Sequence, residues 1–495
     1  MPLKLYNSLA KQEEEFRPLN RSVVSMYTCG PTVYGRPHIA NYSAFLMADL
    51  LRRWLQFGHG LKVIHAKNIT DVGHLVRDAD TGEDKIEKQA REEFGEVTHD
   101  SVIGIARKYE AMYLEDEKVL NMLEPDFRPR ATEYIDQMKE MIESLLQNGH
   151  AYVTDDGIYF DVTSPTLTPY GTLSGNTLEN LAAGSRVEVN EAKKHPADFA
   201  LWKFCVGPNE HHALRWPSPQ VGGSGFPNPR LLDPLPDGFP GWHIECSAMS
   251  RSLLGDSIDI HTGGEDNIFP HHECEIAQSE SVTGKPFVRT WLHKRRIDLA
   301  GEKMSKSLGN VLTIIDISEK GYSPLDLRYY FSSVHYRTNL KFSWEGLEAA
   351  RKARRTIMEW MEEISAMQAA AEGKQTEVNA AHEWKQMFAS AMDADLNVSQ
   401  ALAAVFGCAS WSRVAPLNDE ALSVVREFIT LIRHTFGCFT FETKNIPENV
   451  QRLVDERAAA RAGKNFAESD RLRDAIDALG YEVRDGKEGQ IVKKK

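Results

Sequence analysis

The stretch from Val23 to Ala66 constrains the fold more than any other part of the chain. Residues 23–28, VVSMYT, read as a buried strand, and a Gly-Pro loop follows. From about Asn41 to Phe57, Met47, Leu50, Leu51 and Trp54 recur at helical spacing on one face, with Gly58 as the stop. Leu61 to Ala66 reads as the next strand. Strand, loop, helix and strand in this order predict a βαβ unit in a parallel sheet, hence an α/β fold. Such sheets bind ligands beyond the carboxyl ends of their strands, where Cys29 and His38 would sit.

The 495-residue chain is too long for one hydrophobic core, so two to four domains are expected. Charged residues at 26% and hydrophobic residues at 42% are ordinary for a soluble globular protein. No run approaches the ~18 apolar residues of a membrane span. The start, MPLKLY running into KQEEE, lacks an apolar h-region, so a cytoplasmic location away from membranes is expected. The six cysteines, at 29, 205, 246, 274, 408 and 438, contain no CxxC pair and form no disulfide scaffold. They are core packers, metal ligands or catalytic thiols. A net charge of -13 argues against indiscriminate coating of nucleic acid. Local charge differs: Asn449 to Lys495 carries 11 Lys+Arg against 9 Asp+Glu.

Residues 130–235 read as an insertion. Ile135, Met138, Ile142 and Leu145 define a helix face closed by Gly149. AYVT-DDG-IYFDV then predicts a hairpin, with Asp-Gly supplying the positive φ of its turn. Gln220 to Phe239, rich in Gly and Pro, reads as a loop. SIDIH (257–261) and a helix from about Pro270 resume the α/β pattern. Beyond residue 345 strand signals fade and helical patterns take over, with a loop at Ala370 to Thr376.

His271 and Glu275 lie four apart in PHHECE, so a helix would place both on one face. Cys246 in WHIEC precedes them, and Cys29 ends the first strand. Two thiolates, an imidazole and a carboxylate make a chemically reasonable zinc set. The same residues also fit two packed thiols and a polar helix face. Cys274 and His272 are nearby alternatives that a helix would point elsewhere.

Two further motifs suit a nucleotide. PHIAN (37–41) occupies the strand–helix junction, where backbone N–H groups and the positive helix end favour phosphate. His38 and Asn41 can donate to phosphate oxygens. In KMSKSLGN (303–310), Lys303 and Lys306 can neutralise charge building on the phosphates. The turn at Gly263-Gly264 lets a planar ring approach the backbone, with Asp266 able to bind ribose hydroxyls. GxxxxGK[ST] is absent, which disfavours a P-loop ATPase.

Together with YTCGPTVYG, KNITD, FALWK, GWHIECSAMS, DIHTGGEDNIFPHHECEIAQSE and SPLDLRYYFSSVHYRTNLKFS, these motifs resemble class I aminoacyl-tRNA synthetases, specifically the cysteinyl-tRNA synthetase family. The resemblance covers nearly the whole chain. It implies a Rossmann-like catalytic domain with an inserted domain, followed by a helical anticodon-binding domain. The expected boundaries are 1–129 and 236–290 for the catalytic halves, 130–235 for the insertion, 291–345 for a KMSKS-bearing connector, 346–448 for the helical domain and 449–495 for a small tRNA-contacting segment. It further implies one Zn2+ per chain on Cys29, Cys246, His271 and Glu275, taking the thiolate of substrate cysteine. Gly30, Thr32, Thr70 and Trp242 would line the cysteine pocket. His38, Asn41, Gly264, Asp266 and Lys306 would hold ATP with its Mg2+, and His38, Asn41, Lys303 and Lys306 would serve catalysis. The implied partners are ATP, L-cysteine and tRNA-Cys, for a monomeric ligase. A cysteine-activating ligase for a small amino-sugar (mycothiol-type) and a non-catalytic tRNA- or zinc-binding paralogue are the alternatives. Ala40 and Asn41 depart from the HIGH pattern, VGHLVRDADTGE lengthens the loop after Asp71, and 220–239 is expanded.

Overall fold

A parallel sheet forms the centre of the first of two compact units, residues 1–439 and 440–495. The computed structural model describes residues 2–75, 82–184, 193–220, 234–299, 302–303, 311–371, 373–440, 448–463, 465–486 and 489–494. The strand order is Val288–Lys294, Ile258–Gly264, Val23–Thr28, Lys62–Lys67, all neighbours parallel. The helix Ile39–Arg53 crosses over between the two strands of the expected βαβ unit. A π turn, Trp54–Gly58, prolongs it. Gly58 is needed there, because a Cβ would fall 2.6 Å from the Trp54 ring. Chain order reverses between Val23–Thr28 and Ile258–Gly264, which creates a crevice at their carboxyl ends.

The inserted region begins with the helix Ile135–Gln147, and Gly149 ends it at φ +78° as expected. The antiparallel sheet that follows runs Ala151–Val153, Gly157–Phe160, Phe199–Phe204, Gly238–Pro240. The predicted hairpin forms, but Gly157 does not supply a positive φ. It lies within the strand, where a Cβ would meet the Trp202 carbonyl oxygen at 2.5 Å. Close strand approach, not turn geometry, calls for the glycine. The expected loop Gln220 to Phe239 falls largely outside the described residues, and its last part is the strand Gly238–Pro240.

Four long helices, Trp344–Ala366, Gln375–Asp393, Val398–Ser412 and Asp419–Phe436, complete the first unit. The loop expected at Ala370 to Thr376 overlaps the break between the first two, but Gln375 and Thr376 already belong to the second helix. The last of these helices is tied to the crossover helix by a buried charge cluster. Arg328 pairs with Asp49 and donates to the carbonyls of Phe436, Leu120 and Asn121 at 2.6, 2.9 and 2.8 Å. Arg53 bonds Asp49 at 2.7 Å and the His434 carbonyl at 3.0 Å.

The second unit packs the helices Glu448–Ala462 and Phe466–Ala478 around Val450, Val454, Ile476 and Val483. It ends in an antiparallel hairpin, Tyr481–Gly486 with Gly489–Lys494. Strands beyond residue 345 were not expected; here charged Glu482 and Arg484 alternate with Tyr481 and Val483 over too few residues to stand out. Among the described residues no helix is long and apolar enough to cross a membrane.

Candidate active site

Cys29 follows the last residue of the strand Val23–Thr28 directly. Thr28 is fixed from both neighbouring strands, by Thr262 at 2.7 Å and His65 at 2.8 Å. Cys246 lies on the helix Trp242–Leu254. His271 sits in a π turn, Ile268–His272, that leads into the helix Glu273–Thr283 carrying Glu275. The chain is helical at 272 and 273, so the i, i+4 relation expected from the sequence brings His271 Nε2 within 3.0 Å of Glu275 Oε1. Cys29 Sγ is 3.8 Å from Cys246 Sγ and 3.6 Å from Glu275 Oε1, and His271 Nε2 is 3.4 Å from Cys246 Sγ. All four side chains are buried, and their donor atoms lie within 4.8 Å of one another, a group able to hold one metal ion.

A second overlapping group, Cys29, His261, His272 and Glu275, meets the same distance limit. His272 therefore does not point elsewhere: its Nε2 lies 3.2 Å from Cys29 Sγ. His272 and Glu275 are three apart in a helical stretch, a spacing that shares a face just as i, i+4 does. Cys274 does face away, towards the Tyr170 hydroxyl at 3.5 Å. The wider histidine set was not foreseen. His261 Nε2 is 2.9 Å from Glu275 Oε2, His243 Nδ1 is 3.0 Å from His271 Nδ1, and His293 Nε2 is 2.7 Å from His272 Nδ1. The histidines in WHIEC, DIHTGG and WLHK were the available signal. Burial works against charge throughout, yet the Cys246 and Glu275 charges push His271 up to about 10. Despite the same burial, His261 and His271 hold Glu275 down to about 2. Cys246 is lowered to about 6 against its burial by hydrogen bonding from Cys29 and by His271, while burial and the Cys246 thiol raise Cys29.

The four residues expected around an amino acid gather beside this group. Gly30 passes so close to residue 68 that a Cβ would lie 1.7 Å from the Asn68 carbonyl oxygen. Its N–H donates to Asn68 Oδ1 at 2.8 Å. Thr32 and Thr70 face each other across an isolated parallel bridge, and the Thr70 hydroxyl bonds Glu245 Oε2 at 2.9 Å. Burial raises the Glu245 carboxyl well above its usual range. The Trp242 indole stacks on His271, with ring centroids 4.3 Å apart.

His38 is the N-cap of the helix Ile39–Arg53, and its backbone N–H donates to Asn41 Oδ1 at 3.1 Å. Asn41 thus spends its carbonyl on the cap while its amide group keeps donor character. Gly264 closes the strand Ile258–Gly264 and caps a short 3-10 turn containing Asp266. Its N–H donates to Asn267 Oδ1 at 3.0 Å. Helix N-terminus and turn both lie at the carboxyl edge of the sheet. Lys303 belongs to the strand Glu302–Lys303, and Lys306 lies outside the described residues.

A strand-order switch point with a helix N-terminus beside it is where an open parallel α/β sheet takes its ligands. Residues 15–352 match the family described as tRNA synthetases class I (C) catalytic domain, and 443–492 that described as Cysteinyl-tRNA ligase anticodon binding domain. A cysteine–tRNA ligase of Thermus thermophilus is 39% identical over 99% of this chain and 98% of the relative. One of Chlorobium luteolum is 38% identical over 99% and 98%. Mycobacterium tuberculosis methionyl-tRNA synthetase in complex with methionyl-adenylate shares the fold, with TM-score 0.55 and 16% identity over 84% of this chain and 89% of that one. The chain belongs to the cysteine–tRNA ligase family.

Proposed function

We propose that the chain activates L-cysteine with ATP and transfers it to the 3' end of tRNA-Cys. The observation that carries this reading is the convergence of Cys29, Cys246, His271 and Glu275 beside Trp242, at the switch point of a class I synthetase sheet. Zinc fits the donor chemistry, with two soft sulfurs, one imidazole and one carboxylate. Bonds of ~2.3 Å to two sulfurs of a tetrahedron imply a sulfur–sulfur edge of ~3.8 Å, and the thiols are 3.8 Å apart. The outer hydrogen bonds with His243 and His261 are of the kind that hold ligating groups in place. Of the two overlapping groups, the one with both thiols is the better zinc set. When bound, one Zn2+ per chain supplies a soft acceptor that takes a thiolate far more readily than a hydroxyl. An apolar pocket separates such near-isosteres by only ~1–3 kcal/mol.

Gly30, Thr32, Thr70 and Trp242 enclose the amino acid. The His38–Asn41 helix start, with Gly264 and Asp266, holds ATP and its Mg2+, and Lys303 and Lys306 offset charge on the phosphates. The cysteine carboxylate attacks the α-phosphate and pyrophosphate leaves; a terminal ribose hydroxyl of tRNA then takes the cysteinyl group. Catalysis rests on positioning and charge stabilisation. Residues 1–129 and 236–290 form the catalytic domain around the 130–235 insertion, 291–345 the connector, and 346–448 with 449–495 the tRNA-binding part. The matched anticodon-binding segment favours tRNA over a small amino-sugar acceptor. A monomer in the cytoplasm, where tRNA and ATP are used, completes the reading.

Cysteine-dependent ATP–pyrophosphate exchange, with about one zinc per chain in the wild type and far less in Cys246→Ser, is the expected result. Exchange that is absent from zinc-loaded protein would overturn the first step.

A further inference from the structure

The lengthened loop after Asp71 returns to the fold at Asp84, and its base is tightly fixed. Leu75 and Asp84 form an antiparallel bridge, and the Lys85 N–H donates to the His74 carbonyl at 3.0 Å. Gly73, at φ +74°, leaves room where a Cβ would lie 2.4 Å from the Pro240 carbonyl oxygen. The backbone at His74 is therefore held in place.

Among the described residues, the buried His74 ring meets Thr32, Lys85 and Trp242. Nδ1 lies 2.6 Å from Thr32 Oγ1, and Nε2 lies 2.6 Å from Lys85 Nζ. The ring stacks on Trp242, with centroids 4.0 Å apart and planes within 11°. A lysine ammonium has three donors and no acceptor. It therefore makes Nε2 the acceptor and leaves the ring hydrogen on Nδ1, which donates to Thr32 Oγ1. The Thr32 oxygen accepts on that side, so its own hydrogen turns elsewhere. In a zwitterionic amino acid the ammonium only donates, so the carboxylate is the group that can receive it.

We infer that His74 is a positioning residue of the amino-acid pocket, presenting the Thr32 hydroxyl to the substrate carboxylate and holding the Trp242 indole flat beside His271. This rests on the reading above, in which Thr32 and Trp242 line the cysteine pocket. The lengthened loop then contributes to substrate binding through its base.

Cysteine-dependent exchange by the full-length, zinc-loaded enzyme tests it. A hydrogen bond to a charged group is worth about 10–100-fold in affinity, so His74→Ala raises the KM for cysteine by about that factor, with the KM for ATP and the zinc content unchanged. His74→Phe keeps the stack and His74→Asn keeps a donor near Nδ1, so each recovers part of the loss. Lys85→Met, which leaves the ring in place, weakens cysteine but not inhibition by cysteamine, which lacks the carboxylate. A purely structural role predicts lower thermal stability or zinc content with cysteine KM unmoved in His74→Ala and Lys85→Met, and that result overturns the inference. Wild-type protein without exchange refutes the function itself. A wild type that exchanges, matched by both variants, refutes only the role of His74.

Discussion

His261 and Glu275 are joined Nε2 to Oε2 at 2.9 Å, while the other carboxylate oxygen lies 3.0 Å from His271 Nε2. One oxygen of Glu275 is anchored and the other is presented to the donor cluster. Replacing His261 leaves the ligand in place but releases its orientation. His261→Ala is expected to weaken metal binding about 10–100-fold, read by competition with a chromogenic chelator. Unchanged affinity would show that the carboxylate needs no such anchor.

Gly30→Ala should be far more damaging than a single methyl group suggests. The Cβ position 1.7 Å from the Asn68 carbonyl oxygen cannot be occupied without parting two backbone segments. Those segments carry Thr32 and Thr70. A stability loss of roughly 3 kcal/mol or more, together with a raised KM for cysteine, is expected from urea unfolding and exchange kinetics. A variant with wild-type values would contradict the close approach.

The Asp49–Arg328 pair makes a prediction about stability alone. Arg328→Met removes three hydrogen bonds to carbonyls and one of the two guanidinium partners of buried Asp49. Breaking a buried pair from one side costs about 3–5 kcal/mol, so the urea midpoint should fall accordingly. A loss below about 1 kcal/mol would mean that water enters and screens the cluster.

Asp84 gives a pH dependence with a definite sign. Burial raises its carboxyl from 3.8 to about 6, against hydrogen bonds from the Ile86 and Glu87 N–H groups. The folded state holds the proton longer than the unfolded chain does. The contribution is therefore complete below pH 3.8 and lost as pH rises through about 6. Asp84→Asn keeps the helix-capping oxygen and removes the buried charge. Its unfolding free energy should match the wild type near pH 4 and exceed it above pH 6–7, by up to about 1–3 kcal/mol. An advantage that is the same at both pH values would exclude ionisation of Asp84 as the cause.

What the sequence disclosed follows from the range of each interaction. The crossover unit from Val23 was legible because strand and helix periodicities are local. The convergence of Cys29, Cys246, His271 and Glu275 could be proposed from motif chemistry but not from spacing, since the cysteines are 217 residues apart. His272 escaped because only the i, i+4 partner of Glu275 was read from the sequence, although i, i+3 shares the same helix face. Gly157 was assigned to the wrong cause because the Trp202 carbonyl that excludes its Cβ comes from a distant strand. His74 stood in an unexplained lengthened loop, and its contacts with Thr32 and Trp242, both tertiary, bring it to the pocket.

The distance between the two thiols along the chain has a consequence for biosynthesis. At roughly 5–20 residues per second, Cys29 leaves the ribosome about 10–40 s before Cys246, which lies 217 residues behind it. A nascent chain cannot close the donor cluster until more than half of the polypeptide has been made and the sheet has assembled. Metal uptake on this group, as proposed above, would thus wait for the sheet to assemble, and a product truncated before Glu275 would lack the full donor set.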